Sequence, residues 1–131
     1  DPKAKNKDAA VAEALAEAIR NHTQVTKLVI DDIVPGTGRE AKVGDTVTVH
    51  YIGFQKDGST FDNSYEKGKP LSFKVGADEV IEGWEEGIIG LKEGGTRVLV
   101  VPPELGYGSA IVDPLPANAI LIFSIELLSI E

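Results

Sequence analysis

The sequence has no cysteine, which removes disulfides, thiolate nucleophiles and cysteine-ligated metals from consideration. Histidine is nearly as scarce. His22 and His50 are the only two, so a Ser-His-Asp arrangement would have to use one of them. Thirteen basic residues stand against 21 acidic ones, a net charge of −8, and they form no Lys/Arg stripe. Such a chain is poorly suited to nucleic-acid phosphates or an anionic membrane surface. No apolar run approaches the roughly 20 residues that span a bilayer. Aromatics are sparse as well: one Trp, three Tyr and four Phe among 131 residues. The chain opens at Asp1 without a methionine, as expected of a processed or trimmed form with any targeting signal out of view. The compartment is therefore left open between cytoplasm and, after processing, cell envelope or exterior.

What is present, 42% apolar and 26% charged residues, fits one soluble domain with one hydrophobic core. Residues 1–7 are polar and expected to be mobile, with Asp8 capping a helix from Ala9 to about Arg20. Val11, Leu15 and Ile19 give that helix a narrow apolar stripe, and Asn21-His22-Thr23 ends it. The same three residues form an Asn-x-Thr sequon, meaningful only in a eukaryotic secretory pathway. From Lys27 the apolar period changes to two. Strands are expected at Leu28–Ile30, Thr46–Tyr51, Thr60–Asp62, Leu71–Val75, Thr96–Val101 and Ile120–Ile130. Turns fall at Val34–Gly38 and Asp57-Gly58. Val80–Ile89 is a second, short helix closed by Gly90. This order has no βαβ rhythm and predicts an α+β fold, an antiparallel sheet packed on one helix. Residues 109–119, with two prolines and no period, form a long loop over one end of the sheet.

Several chemical signals are weak. Gly36-x-Gly38-x-x-Ala41 resembles a dinucleotide loop, but Lys42-Val-Gly44-Asp45 starts a strand where that loop needs a helix. The adjacent acids Asp31-Asp32 and Glu85-Glu86 read as solvated surface carboxylates, not a glycosidase pair. His50 alternates away from Tyr51 and is expected on the other sheet face. The aromatics are more informative, because six of them fall on six separate segments: Tyr51, Phe61, Phe73, Trp84, Tyr107 and Phe123. Pattern alone does not separate an aromatic core from an aromatic pocket. The polar handles of Tyr51, Trp84 and Tyr107 favour a cavity wall or rim.

Val49-His-Tyr-Ile-Gly53, Gly58-x-x-Phe-Asp62, Val80-Ile-x-Gly-Trp-Glu-x-Gly87, Leu105-Gly-Tyr-Gly108, Leu115-Pro-Ala-Asn-Ala119 and Leu121-Ile-Phe-Ser-Ile-Glu-Leu127 occur in this order. Together they resemble the FKBP-type peptidyl-prolyl cis-trans isomerases. The resemblance covers about residues 24–131 and leaves 1–23 as an N-terminal tail and helical extension. It implies a twisted antiparallel β-sheet wrapped around one short α-helix, here with an additional N-terminal helix. It also implies a proline pocket with Tyr51, Asp62, Trp84, Tyr107 and Phe123 as its catalytic set. Phe61, Leu71, Phe73, Val80, Ile81 and Leu115 would contact substrate. Trp84 would lie under the proline ring, the Ile81 N–H and Tyr107 hydroxyl would each bond a carbonyl, and Leu115 would cover the mouth. No cofactor or metal is implied. The implied partners are proline-containing peptides, unfolded proteins and FKBP-directed macrolides, with no nucleic acid and no membrane span. The expected state is a monomer, with pairing through the N-terminal helix as the alternative. Three departures bear on ligand preference: Leu71 in place of an aromatic, Leu115-Pro-Ala in place of Ile-Pro-Pro, and a short loop before Leu115 that lacks the usual glycines. The rival reading is a non-catalytic module that holds proline peptides, or a chaperone-type domain with incidental turnover.

Overall fold

A computed structural model describes the backbone of residues 2–21 and 26–131 and the side chains of 9–20 and 26–131. His22 and Thr23 of the sequon lie outside these residues. The elements in chain order are α1 (Pro2–Asn21), β1 (Val29–Val34), β2 (Thr46–Phe54), β3 (Thr60–Asn63), α2 (Ser64–Lys67), β4 (Leu71–Lys74), α3 (Glu82–Gly87), β5 (Thr96–Val101), a 3₁₀ turn (Pro103–Leu105) and β6 (Leu121–Ile130). The six strands form one antiparallel sheet in the order β1-β5-β6-β2-β3, with β4 also on β2. β2 is the hub. One edge carries β6 along its length, and the other carries β4 at Thr46–Val49 and β3 at Ile52–Phe54. No helix among the described residues is long and apolar enough to cross a membrane.

Strand alternation decides what each sheet face buries. Val47, Val49 and Tyr51 of β2 turn inward with Phe123, Ile125 and Leu127 of β6 to form the main core under α3. β5 is buried at every position. Its Leu99 and Val101 belong to that main core, while Val98 and Val100 face the opposite side and meet α1. Leu15 and Ala18 of α1 pack there with Ile122, making a second, smaller core. A hollow of about 200 Å³ remains beneath the helix, walled by Ala14, Ala18, Val29, Val98 and Val100 with Glu17 and Asp31 at its polar side.

Gly83 and Gly87 explain how α3 sits so close to the sheet. A Cβ on Gly83 would fall 2.6 Å from Val101 Cγ1, and one on Gly87 would fall 2.6 Å from Leu99 Cδ1. Both contacts are far inside van der Waals separation. Spaced four residues apart, the two glycines share one helical face and let the backbone rest on β5.

Apart from shifts at strand ends, such as β2 running on to Phe54, the elements differ from the sequence expectation in four places. α1 begins at Pro2, so Asp8 lies inside the helix and not at its start. α3 is only Glu82–Gly87, because Ile81 is extended at φ −62° and ψ 153° and cannot continue a helix toward Val80. β1 runs on to Val34, carried by its ladder with β5, into what reads as a turn. α2 went unpredicted although its signals are local: the Asn63 side chain accepts from the Tyr65 and Glu66 N–H groups, and Gly68 closes the helix in the left-handed conformation.

Candidate active site

On the α3 side of the sheet is a hollow of about 170 Å³. Each wall comes from a different element. Tyr51 projects from β2, Phe61 and Asp62 from β3, Leu71 from β4 and Phe123 from β6, while Trp84 rises from α3. Val80 and Ile81 line it from the segment leading into α3, and Tyr107 from the loop after the 3₁₀ turn. The rings meet edge to face. Tyr51 and Trp84 centroids are 4.9 Å apart at 81°, Trp84 and Phe123 5.2 Å at 85°, and Phe61 and Phe123 5.6 Å at 76°. This is the favoured arrangement of aromatic quadrupoles. Gly53 permits it: a Cβ there would lie 2.6 Å from Phe61 Cζ and 3.0 Å from Phe123 Cε1.

One wall is polar and ordered. The Tyr51 hydroxyl donates to Asp62 Oδ2 at 2.6 Å, and Lys67 Nζ pairs with Asp62 Oδ1 at 2.6 Å. Burial, and then the hydrogen bond and charge of Asp62, push the Tyr51 phenol up to about 12. Burial would raise Asp62 too, but hydrogen bonds from Lys67 and Tyr51 outweigh it and hold the carboxyl below its ordinary value. The hydrogen bond to Asp62 raises Lys67 in turn. The linkage has two signs. Stability from the Tyr51 shift is fully present below its unfolded value near 10 and is lost as pH climbs toward about 12. Stability from the Asp62 shift is present above about pH 4 and is lost as pH falls through its lowered value.

Two donors at the hollow meet no protein acceptor among the described residues: the Tyr107 hydroxyl, on a side chain 40% exposed, and the Ile81 backbone N–H. Trp84, only 4% exposed, also has its buried indole N–H unpartnered among the described residues.

Of the residues singled out from the sequence, Tyr51, Phe61, Asp62, Leu71, Val80, Ile81, Trp84, Tyr107 and Phe123 converge on this hollow. Phe73 and Leu115 do not line it. Phe73 is buried behind Trp84 with ring centroids 5.9 Å apart. Leu115 is 2% exposed and part of the main core, so it does not cover the mouth. A bridge between Val112 and Leu115 closes a tight turn that leaves Ile111 (78% exposed) and Val112 (40%) outside instead. His50 lies on the other sheet face, its Nδ1 2.8 Å from Ser64 Oγ and its ring stacked on Tyr65 at 4.4 Å. Asp32 is not merely solvated but pairs with Arg97. Sequence reasoning missed Glu79, which lines the hollow, and Lys67, which anchors Asp62. Glu79 directly precedes Val80-Ile81 and was within reach. Lys67 depends on the turn made by α2 and was not.

An antiparallel sheet folded over a short tryptophan-bearing helix, with an aromatic hollow between them, is the architecture of proline-directed isomerases. The family described as FKBP-type peptidyl-prolyl cis-trans isomerase matches residues 37–128, and the chain belongs to it. The FKBP-type peptidyl-prolyl cis-trans isomerase FkpA of Escherichia coli (strain K12) is 44% identical over 133 residues, 95% of this chain and 48% of that protein. This chain therefore spans about half of FkpA's length. An FK506-binding protein of Neisseria meningitidis serogroup B is 44% identical over 104 residues, 79% of this chain and 95% of that one. The crystal structure of FkpA from Escherichia coli superposes with a TM-score of 0.75 at 41% identity, covering 99% of this chain and 62% of that one. That of AtFKBP13 gives 0.74 at 38% identity, covering 78% and 91%.

Proposed function

We propose that this chain accelerates rotation about X–Pro peptide bonds in polypeptides, with residues 24–131 as the isomerase unit. The observation that carries the reading is a hollow walled by edge-to-face aromatic rings with two hydrogen-bond donors at its rim, Tyr107 and the Ile81 N–H, that are unpaired among the described residues. The amide barrier is about 18–20 kcal/mol and comes from resonance. Twisting removes conjugation, so the carbonyl becomes less charge-separated and the nitrogen more pyramidal. A dry aromatic site penalises the planar dipolar ground state more than the twisted one. In this reading Trp84 is the floor under the proline ring, Tyr51 and Phe123 its walls, and Phe61 and Leu71 the surface for the preceding residue. The Ile81 N–H and Tyr107 hydroxyl hold carbonyls on either side while the bond turns, and Asp62 fixes Tyr51. A 10⁵-fold acceleration requires only about 7 kcal/mol. The resemblance of the chain to FK506-binding relatives extends the proposal to macrolides of that class.

The test is rotation of a short peptide with a bulky apolar residue before proline. Micromolar protein is expected to accelerate it, with kcat/KM flat from about pH 6 to 9, because Tyr51 is pushed up to about 12 and Asp62 is held low. No acceleration over buffer would leave a module that only holds proline segments. A midpoint between pH 5 and 8 that disappears in His50→Gln would contradict a mechanism without proton transfer.

α1 packs on the sheet face opposite the hollow, so it is proposed to serve stability and not turnover, with the 131-residue chain monomeric. Deleting residues 1–22 is expected to cost roughly 1–3 kcal/mol in urea denaturation, the worth of burying about one Leu side chain. Activity on a short peptide should stay within about twofold, a barrier change of about 0.4 kcal/mol. A tenfold loss of activity would place α1 in the catalytic unit.

A further inference from the structure

The hollow has two carboxylates in its lining, Asp62 and Glu79. They differ in one respect. The charge of Asp62 is matched by Lys67 at 2.6 Å and its other oxygen accepts from Tyr51. Glu79 forms no ion pair among the described residues, and its one hydrogen bond is from the Lys74 backbone N–H to Oε1 at 3.2 Å. That bond holds the carboxylate beside the hollow and leaves Oε2 without a partner among the described residues. Among the described residues this exposed, anchored carboxylate is thus the one charge lining the hollow without an ion-pair partner, on a chain whose net charge is already −8.

We propose that Glu79 is a specificity-determining residue that selects proline segments carrying a lysine or arginine immediately beside the proline. The inference rests on the isomerase reading of this site and deepens it. Glu79 lines the same hollow that takes the proline ring. A residue adjacent to the proline is therefore placed to bring its side chain to the Glu79 carboxylate. A lysine or arginine stem lies along apolar wall while its cationic head meets the anion. An acidic neighbour meets repulsion at the same point. The pair is solvent-exposed and therefore worth little by itself, but attraction for one charge and repulsion of the other act in the same direction on their ratio.

The experiment uses the full chain and short peptides with Lys, Ala or Glu immediately before proline, and a second set with the same residues immediately after it. Rotation is followed by NMR exchange, which avoids the side-chain preference of a coupling protease, and affinity is read from Trp84 emission. In one set the Lys peptide is expected to exceed the Glu peptide in kcat/KM by roughly five- to tenfold at low salt. The ratio should shrink to about twofold or less at 1 M salt. Glu79→Gln should bring it near unity, and Glu79→Lys should invert it. A wild-type ratio near unity in both sets, or one that survives Glu79→Gln, overturns the assignment. If no peptide turns over but Trp84 emission still reports tighter binding of the Lys peptide, lost in Glu79→Gln, the charge selection stands and the isomerase reading falls. Absence of charge order in binding as well as turnover ends the proposal.

Discussion

Trp84→Ala is expected to destabilise the domain by about 3–5 kcal/mol, the range for removing a buried large aromatic, and to abolish measurable turnover. The side chain is 4% exposed and meets Tyr51, Phe73 and Phe123, rings contributed by three different strands. Its removal opens a void between α3 and the sheet at the floor of the hollow. At roughly 3–5 °C per kcal/mol for a chain of this length the melting temperature should fall by about 10–20 °C, as read by circular dichroism. Trp84→Leu retains apolar volume and should keep the fold while weakening ligand affinity, because a branched aliphatic chain cannot offer a flat face to a ring. A loss below about 1 kcal/mol for the Ala variant would show that the tryptophan is not packed as described.

The second large effect lies away from the hollow. Arg97 is buried on β5, and its guanidinium donates from Nη1 to the Gly87 and Ile89 carbonyls, each at 2.8 Å. Its Nε and Nη2 donate to Asp32 at 2.5 and 3.2 Å. One side chain therefore ties β1, β5 and the end of α3 together, and its positive charge stands where helix carbonyls accumulate negative potential. Arg97→Met keeps the aliphatic stem but leaves those carbonyls without their donor, at about 1–3 kcal/mol for each buried group. A total loss of roughly 2–4 kcal/mol in urea denaturation is expected. Asp32→Asn should cost no more than about 1 kcal/mol, since the Asp32 side chain is 51% exposed and water replaces part of the pair. Arg97→Lys should restore little, because an ammonium cannot reproduce the planar fork. Equal losses for the Asp32 and Arg97 variants would show that the ion pair, and not the capping of α3, is what matters.

Much of this was readable from residues alone. Alternation in Thr46–Tyr51 and Leu121–Leu127 set which side chains face the core, since a strand's period of two is a local property. The order of six motifs was enough to recognise the family. Limits of elements were less legible. The helix expected over Val80–Ile89 shrinks to Glu82–Gly87 because Ile81 is extended where the chain lines the hollow, a tertiary demand that local propensity does not contain.

Periodicity and composition by themselves determined the α+β class, the inward faces of the strands and which residues were available for an aromatic site. Tertiary structure alone decided which of these reach the hollow and which lie behind it. Phe73 and Leu115 have the same apolar character as Phe61 and Leu71, yet the first two are sealed in the core and the second two stand at the hollow. The pairing of Asp62 with Lys67, the unmatched charge of Glu79 and the reach of Arg97 to α3 were likewise invisible in the chain. A local pattern specifies the side of a strand or helix on which a residue projects. The distance between residues on different elements depends on sheet register, turn geometry and how near α3 approaches β5, and these emerge only when all elements pack at once.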